Sequence, residues 1–404
     1  MNDRGLSLTP TDMLKGYLLA NITDADRRVE ASRVWRNRVS ALQQLGKEED
    51  ADAVKAWLRS QHAQTIRERK RGAQPRDFDL IGTEFHRWVR DQEDPLGLTA
   101  GSEAFGRFIQ EDFDFYSRWY ERIRQAADTL TPGLEAIHYN AQNKFTLQYP
   151  VLLAPLRRGD SDSEIHSKLR IVAGYLDILI ARRVWNWKAT DYSTMQYTMF
   201  QLVILSIRGM SVPELANALI DRLDGDEHTF ASNDRFHLHG MNGRQIHRLL
   251  ARMTDFVETS AGQASRYSEY IQRRGKNGYE VEQIWANHAE RHSDEFDHPT
   301  DFAEYRNRIG GLLLLPKSFN ASYGDKPYTD KREHYFGQNL LAQSLHETAY
   351  DHNPGFRKFR NESGLSFQPH AEFKKADLDE RQELYRKLAE QIWSTDVLRR
   401  EVEP

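Results

Sequence analysis

The sequence predicts a mainly α protein, in which a long helical domain is followed by a small α+β domain. Three observations carry that expectation. Apolar residues recur at three- and four-residue spacing through most of residues 10–270, the period of an amphipathic helix, as in Phe105, Phe108, Phe113, Tyr116, Trp119 and Tyr120. The texture changes between Gly278 and about Leu345, where two short strand-like runs, Tyr279–Trp285 and Leu312–Leu315, bracket a polar loop. Composition agrees: 404 residues, 39% hydrophobic and 29% charged, suit a soluble, helix-rich chain of two or three domains.

Taken in order, Thr9, Pro10 and Asp12 form a helix start of cap, first-turn proline and early acid. Long helices are expected over Thr11–Ile22, Asp24–Leu45, Glu48–Arg71, Asp77–Gln92 and Ser102–Leu130. The aromatic stripe in the last of these reads as packing core rather than a platform for stacked bases. The run Arg67-Glu68-Arg69-Lys70-Arg71, before Gly72 and Pro75, reads as a helix end whose cations suit the dipole, with DNA-backbone contact as the functional alternative. Asp162–Arg183 and Ser193–Arg208 are strongly apolar and read as the centre of the helical domain. His237-Leu238-His239 offers two metal-type ligands but no matching third, which is the pattern of ordinary histidines. Asp255–Ile271 reads as a bridging helix, and Arg273–Gly278 as a hinge into the last domain.

In that domain, Tyr279–Trp285 carries Glu282-Gln283, and a loop rich in His, Asp and Glu follows. The loop holds His288, His292 and His298 among four acids; a zinc site or a solvated insertion would both look like this. Leu312–Leu315 closes at Pro316, Lys317–Ser322 reads as a turn bearing Asn320, and a helix is entered through Pro327. Strand, loop, strand, Asn-bearing turn and helix is the order of parts in a ββα-metal (HNH) site. The final helix, Asp377–Trp393, places Leu384, Leu388 and Ile392 at helical spacing.

Glu282-Gln283-Ile284, Gly310-Gly311-Leu312-Leu313-Leu314-Leu315, Asn320 and Lys331 together resemble the C-terminal HNH-type domain of GmrSD-type modification-dependent restriction endonucleases and their SspE-like phage-defence relatives. Those proteins carry Glu-His-Ile, then Gly-Asn-Leu-x-Leu-Leu, an Asn and a helix Lys. The likeness runs on through Arg381 to the Leu384…Leu388…Trp393 helix, covering about Tyr279 to Trp393. The resemblance implies Glu282 and Asn320 as oxygen ligands of a divalent ion, Mg²⁺ or Mn²⁺, and Lys331 with Arg381 at phosphate. Lys317, Lys326, Arg332 and His334 would contact DNA. Gln283 stands where the family has its general-base histidine, and an amide cannot accept a proton near neutral pH. Losing such a base costs about 10²–10⁴ in rate. A metal-dependent DNA endonuclease of a restriction or anti-phage system is therefore expected, with low or no activity unless His288 substitutes as base. The alternative is a non-catalytic DNA-binding or regulatory subunit derived from such a nuclease.

The opening residues add a second likeness. Asn2-Asp3-Arg4-Gly5 and the following Leu14-Lys15 resemble the end of the family's N-terminal ParB-like NTPase domain, whose Asp-Gly-Gln-Gln-Arg signature is absent from the sequence. The implied organisation is a remnant of that domain at 1–22, a helical domain at 23–272 and the nuclease-like domain at 273–404. No nucleotide cofactor is expected, and a partner protein could supply the NTPase and modification-sensing part. Zero cysteines exclude disulfides and thiolate metal sites and suit a cytoplasmic protein. No 18-residue apolar run predicts a membrane span, and no apolar segment near residue 1 predicts a signal peptide. A net charge of −4 leaves DNA contact to local basic surfaces.

Overall fold

A computed structural model describes residues 8–402. Helices dominate, and one two-stranded antiparallel sheet lies near the C-terminal end. The chain divides into two compact units. The first comprises 1–180, 189–225 and 395–404, and the second 181–188 and 226–394.

The first unit is a helical assembly. Its opening helix, Pro10–Ala20, starts from Thr9, whose hydroxyl accepts the Asp12 amide while Asp12 reaches back, a reciprocal cap. Asn2–Gly5 lies outside the described residues. Asp24 caps the helix Ala25–Gln43. The aromatic stripe is core: Trp57 packs on Phe108, Phe113 and Tyr116, and Trp35 stacks on Phe113 at 4.3 Å between ring centres. Ser102–Asp128 is helical, but a wider π turn spans Phe108–Phe113. The five-residue step between those two phenylalanines overshoots an α-helical face, and the inserted residue keeps both inward. A similar turn at Met199–Ile204 lies within the helix expected over Ser193–Arg208, which runs from Tyr192 to Ile207.

The helix expected to reach Arg71 ends at Gln61. Arg67–Arg71 is therefore not a helix end. The following carboxylates offer the backbone a better partner than a further helical turn: Asp77 accepts the Gln64 and Thr65 amides, and Asp79 accepts that of Arg67.

The second unit is organised around the sheet. Strand β1 (Tyr279–Gln283) pairs antiparallel with β2 (Leu312–Pro316), with Glu282 opposite Leu313 and Gln283 opposite Leu312. β2 is buried on both faces, which is why its sequence is an unbroken apolar run. The helix Gly243–Ser260 packs on both strands, and the helix Lys375–Ile392 lies against Ile309–Gly311. Gly310 permits that approach, since a Cβ there would come within 2.3 Å of the Gln382 backbone nitrogen. Two expectations are corrected here. The bridging helix over Asp255–Ile271 is broken, because the chain leaves Ser260 through Gly262 at φ +86° and resumes as a single turn at Tyr267–Tyr270. Lys317–Ser322 is not a turn but the start of a helix, Lys317–Tyr323. Residues 273–278 form a turn closed by the Tyr279 amide on the Gln272 carbonyl at 2.7 Å.

Candidate active site

β1 decides which side chains meet. Alternation sends Glu282 into the interior, while Gln283 is half-buried on the opposite face. The helix Tyr328–Tyr335 turns Tyr328, Lys331 and Tyr335 inward, a three- and four-residue stripe. That places the Lys331 ammonium 2.5 Å from Glu282 Oε1 and 3.0 Å from the Gln283 carbonyl oxygen. The two side chains are 0% and 5% exposed, so this is a buried ion pair. Burial pushes the Glu282 carboxyl above the ordinary carboxylate range, against the pull of Lys331. Burial likewise lowers the Lys331 ammonium, opposed by the charge of Glu282.

Gln283 turns its amide to Asn307, Nε2 donating to Oδ1 at 3.3 Å. That leaves Gln283 Oε1 as an acceptor. Asn320 sits on the helix Lys317–Tyr323, which packs against both strands. Its Oδ1 is buried and has no hydrogen-bond partner among the described residues. An unpartnered buried carbonyl oxygen calls for an explanation, and Asn140 Oδ1 and Gln148 Oε1 in the first unit share that condition. Asn320 Oδ1 and the second oxygen of Glu282 are each hard oxygens, the kind that suit Mg²⁺ or Mn²⁺.

The other expected residues divide. His288 holds Glu290 at 2.6 Å through Nδ1 and Asp325 at 2.8 Å through Nε2. Both carboxylates raise its pKa, which favours the cation and disfavours service as a base. Arg381 is only 2% exposed, donating to the Tyr385 hydroxyl at 2.9 Å and the Ser344 hydroxyl at 3.4 Å, so it faces the interior. Arg332 is drawn to Glu347 and Glu333. Lys317 lies 3.4 Å from Glu280, Lys326 is exposed, and His334 stacks on Tyr323.

Three residues near the pair were not singled out in the sequence. Arg306 exerts its charge on Glu282 while donating to the Trp285 carbonyl at 2.9 Å. Tyr335 has a fully buried hydroxyl with no partner among the described residues, and burial with the nearby Glu282 charge raises its pKa. Asn307 orients Gln283. Only Asn307 had a local signal, as a polar residue in the turn that leads into β2. The His-rich loop does not assemble ligands: His292 instead packs on Trp285 and Phe302. Among the described residues, one group of metal-capable side chains converges: His370, Asp377 and Glu380. There, His370 Nδ1 is 3.0 Å from Asp377, and Gln368 donates to Glu380.

Against this geometry, residues 230–388 match the family model of the C-terminal domain of GmrSD restriction endonucleases. The matched residues, 159 of 404, lie within the second unit. The match includes β1, β2, Asn320, Lys331 and Arg381, and its last residue is Leu388. No curated protein matches the chain. Gly311 follows Gly310 at the entry to β2. A Cβ there would meet Leu378 at 3.2 Å and the Arg306 carbonyl at 3.3 Å, so the helix Lys375–Ile392 crowds this position too. Among the described residues no helix is long and apolar enough to cross a membrane.

Proposed function

We propose that this protein is a DNA endonuclease of the HNH type, dependent on a divalent cation and held at low activity by Gln283. The observation that carries the reading is the orphaned Asn320 oxygen on a helix packed against β1 and β2, within a domain matched to restriction endonucleases. The second oxygen of Glu282 and Asn320 Oδ1 are the ligands that would hold Mg²⁺ or Mn²⁺, which when bound polarises a phosphodiester. Lys331 acts from behind: it keeps Glu282 ionised in a buried place and fixes its orientation. Gln283, held by Asn307, can accept a hydrogen bond from water but not its proton. The test is Gln283→His, assayed for nicking of supercoiled plasmid, with gain of activity expected.

A second reading is a DNA-binding or regulatory subunit without chemistry. Two features favour it: Gln283 in the place of the base, and Lys331 occupying one Glu282 oxygen. It predicts salt-sensitive DNA binding without turnover, since phosphate contacts release counterions. A partner would then supply the N-terminal NTPase and sensing functions.

A further inference from the structure

The first unit contains a cavity of about 490 Å³, within the size range of small-molecule sites. One wall is the polar face of the helix Glu49–Gln61, where Glu49, Asp52, Ala56 and Arg59 follow at three- and four-residue spacing. The opposite face of that helix, with Val54, Trp57 and Leu58, is core. Tyr120 and Arg124 come from the helix Asp114–Asp128, Tyr149 from Gln148–Leu153 and Tyr192 from Tyr192–Thr198.

The charges on these walls do not cancel. Glu49 is satisfied by Arg124 at 2.9 Å and by the Tyr120 hydroxyl at 2.7 Å. Asp52 is met by Lys55 at 3.0 Å. Arg59 is left over, with no carboxylate within ion-pair distance among the described residues. Its Nε donates to the Phe78 carbonyl at 3.0 Å, its Nη1 to the Tyr192 hydroxyl at 3.2 Å, and its plane lies 4.1 Å above the Phe78 ring. Nη2 has no hydrogen-bond partner among the described residues and rests over Gly82, where a Cβ would approach it to 2.1 Å. Gly82 lies inside the helix Asp77–Asp91, whose backbone also departs from helical angles at Glu84. Glycine is a poor helix residue, so the bare backbone there serves the guanidinium rather than the helix.

We infer that this cavity binds a mononucleotide, with its phosphate on the unpaired Arg59 and its ring against Tyr149 and Tyr192. A guanidinium with a free nitrogen suits a phosphate oxygen. Tyrosine rings supply stacking surface for a base of any identity. The Thr146 hydroxyl at the rim offers a hydrogen bond to a base edge. The site is separate from Glu282 and Asn320 and does not depend on the nuclease reading.

The test is calorimetric titration of the full chain in EDTA, so that no metal-dependent cleavage intervenes. The probes are 5′-dAMP, 5′-dCMP, 2′-deoxyadenosine and inorganic phosphate. Saturable binding of both nucleotides is expected, with deoxyadenosine and phosphate at least about tenfold weaker. Arg59→Ala should weaken nucleotide binding about tenfold or more, the loss typical of a charge-assisted contact. Because Arg59 also packs on Phe78, a second variant stands beside it. Thr146→Trp, at an exposed rim position, should fill the cavity and abolish binding while leaving the melting temperature unchanged. The proposal is overturned if millimolar nucleotide gives no binding heat, if Thr146→Trp binds as the parent does, or if phosphate alone binds as tightly.

Discussion

The buried Glu282–Lys331 pair supports a sharp stability prediction for Lys331→Met. At the 2.5 Å separation, Coulomb attraction at an effective dielectric of 20 is about 6–7 kcal/mol. Desolvating two ions costs several kcal/mol each, so the intact pair contributes little net stability. Removing one partner is different, because the Glu282 carboxylate is then left buried and uncompensated, at a cost of about 3–5 kcal/mol. Arg306 is the remaining cation with a charge effect on it, and it is itself engaged by the Trp285 carbonyl. The sign with pH follows. Burial already raises the folded-state pKa of Glu282, and losing Lys331 raises it further. Stability of the variant is then fully present below the ordinary carboxylate pKa and is lost as pH rises through the raised value. The assay is urea unfolding of the parent, Lys331→Met and Lys331→Met/Glu282→Leu between pH 5 and 8, followed by the fluorescence of Trp285 and its neighbours. The single variant should weaken as pH rises, and the double variant should recover most of the loss. A Lys331→Met penalty below about 1 kcal/mol at pH 8, or a double variant no better than the single, would refute the buried-pair account.

Other consequences can be checked separately. Gln283→His should raise plasmid nicking by about 10²–10⁴, read from initial rates in Mn²⁺. Asn320→Ala should abolish calorimetric uptake of Mn²⁺ yet change unfolding stability by no more than about 0.5 kcal/mol, since its Oδ1 has no hydrogen-bond partner among the described residues. Gly310→Ala should cost about 2 kcal/mol or more by forcing Gln382 away, seen as a lowered melting temperature. His288→Gln, placed in the Gln283→His background, should leave nicking within about twofold, because both ring nitrogens are engaged by Glu290 and Asp325.

Much of the site's frame was legible because it rests on short-range patterns. The alternation at Tyr279–Gln283, the apolar run Leu312–Leu315 and the proline before Tyr328 each declare an element locally. What escaped depended on contacts far apart in the chain or on competing caps. Lys317-Ser318-Phe319-Asn320-Ala321-Ser322 has turn-forming residues and a single buried apolar side chain, Phe319, yet packing on the sheet makes it helical. Lys331 lies among charged neighbours and reads as exposed; only pairing with Glu282, 49 residues earlier, buries it. Arg381 looks like a surface cation on an amphipathic helix, but Tyr385 and Ser344 draw it inside. The end of the helix at Gln61 was set by Asp77 and Asp79 from the next helix, a partner no helical period reveals.

The central claim is a nuclease site complete but for its base. The most direct measurement is nicking of supercoiled plasmid in Mg²⁺ or Mn²⁺ by the parent chain, Gln283→His and Gln283→His/Asn320→Ala. The account predicts little or no nicking by the parent, clear conversion to open circles by Gln283→His, and silence again in the double variant. No cleavage by Gln283→His, although it binds Mn²⁺ and DNA, would contradict the claim and leave the DNA-binding subunit as the reading that stands.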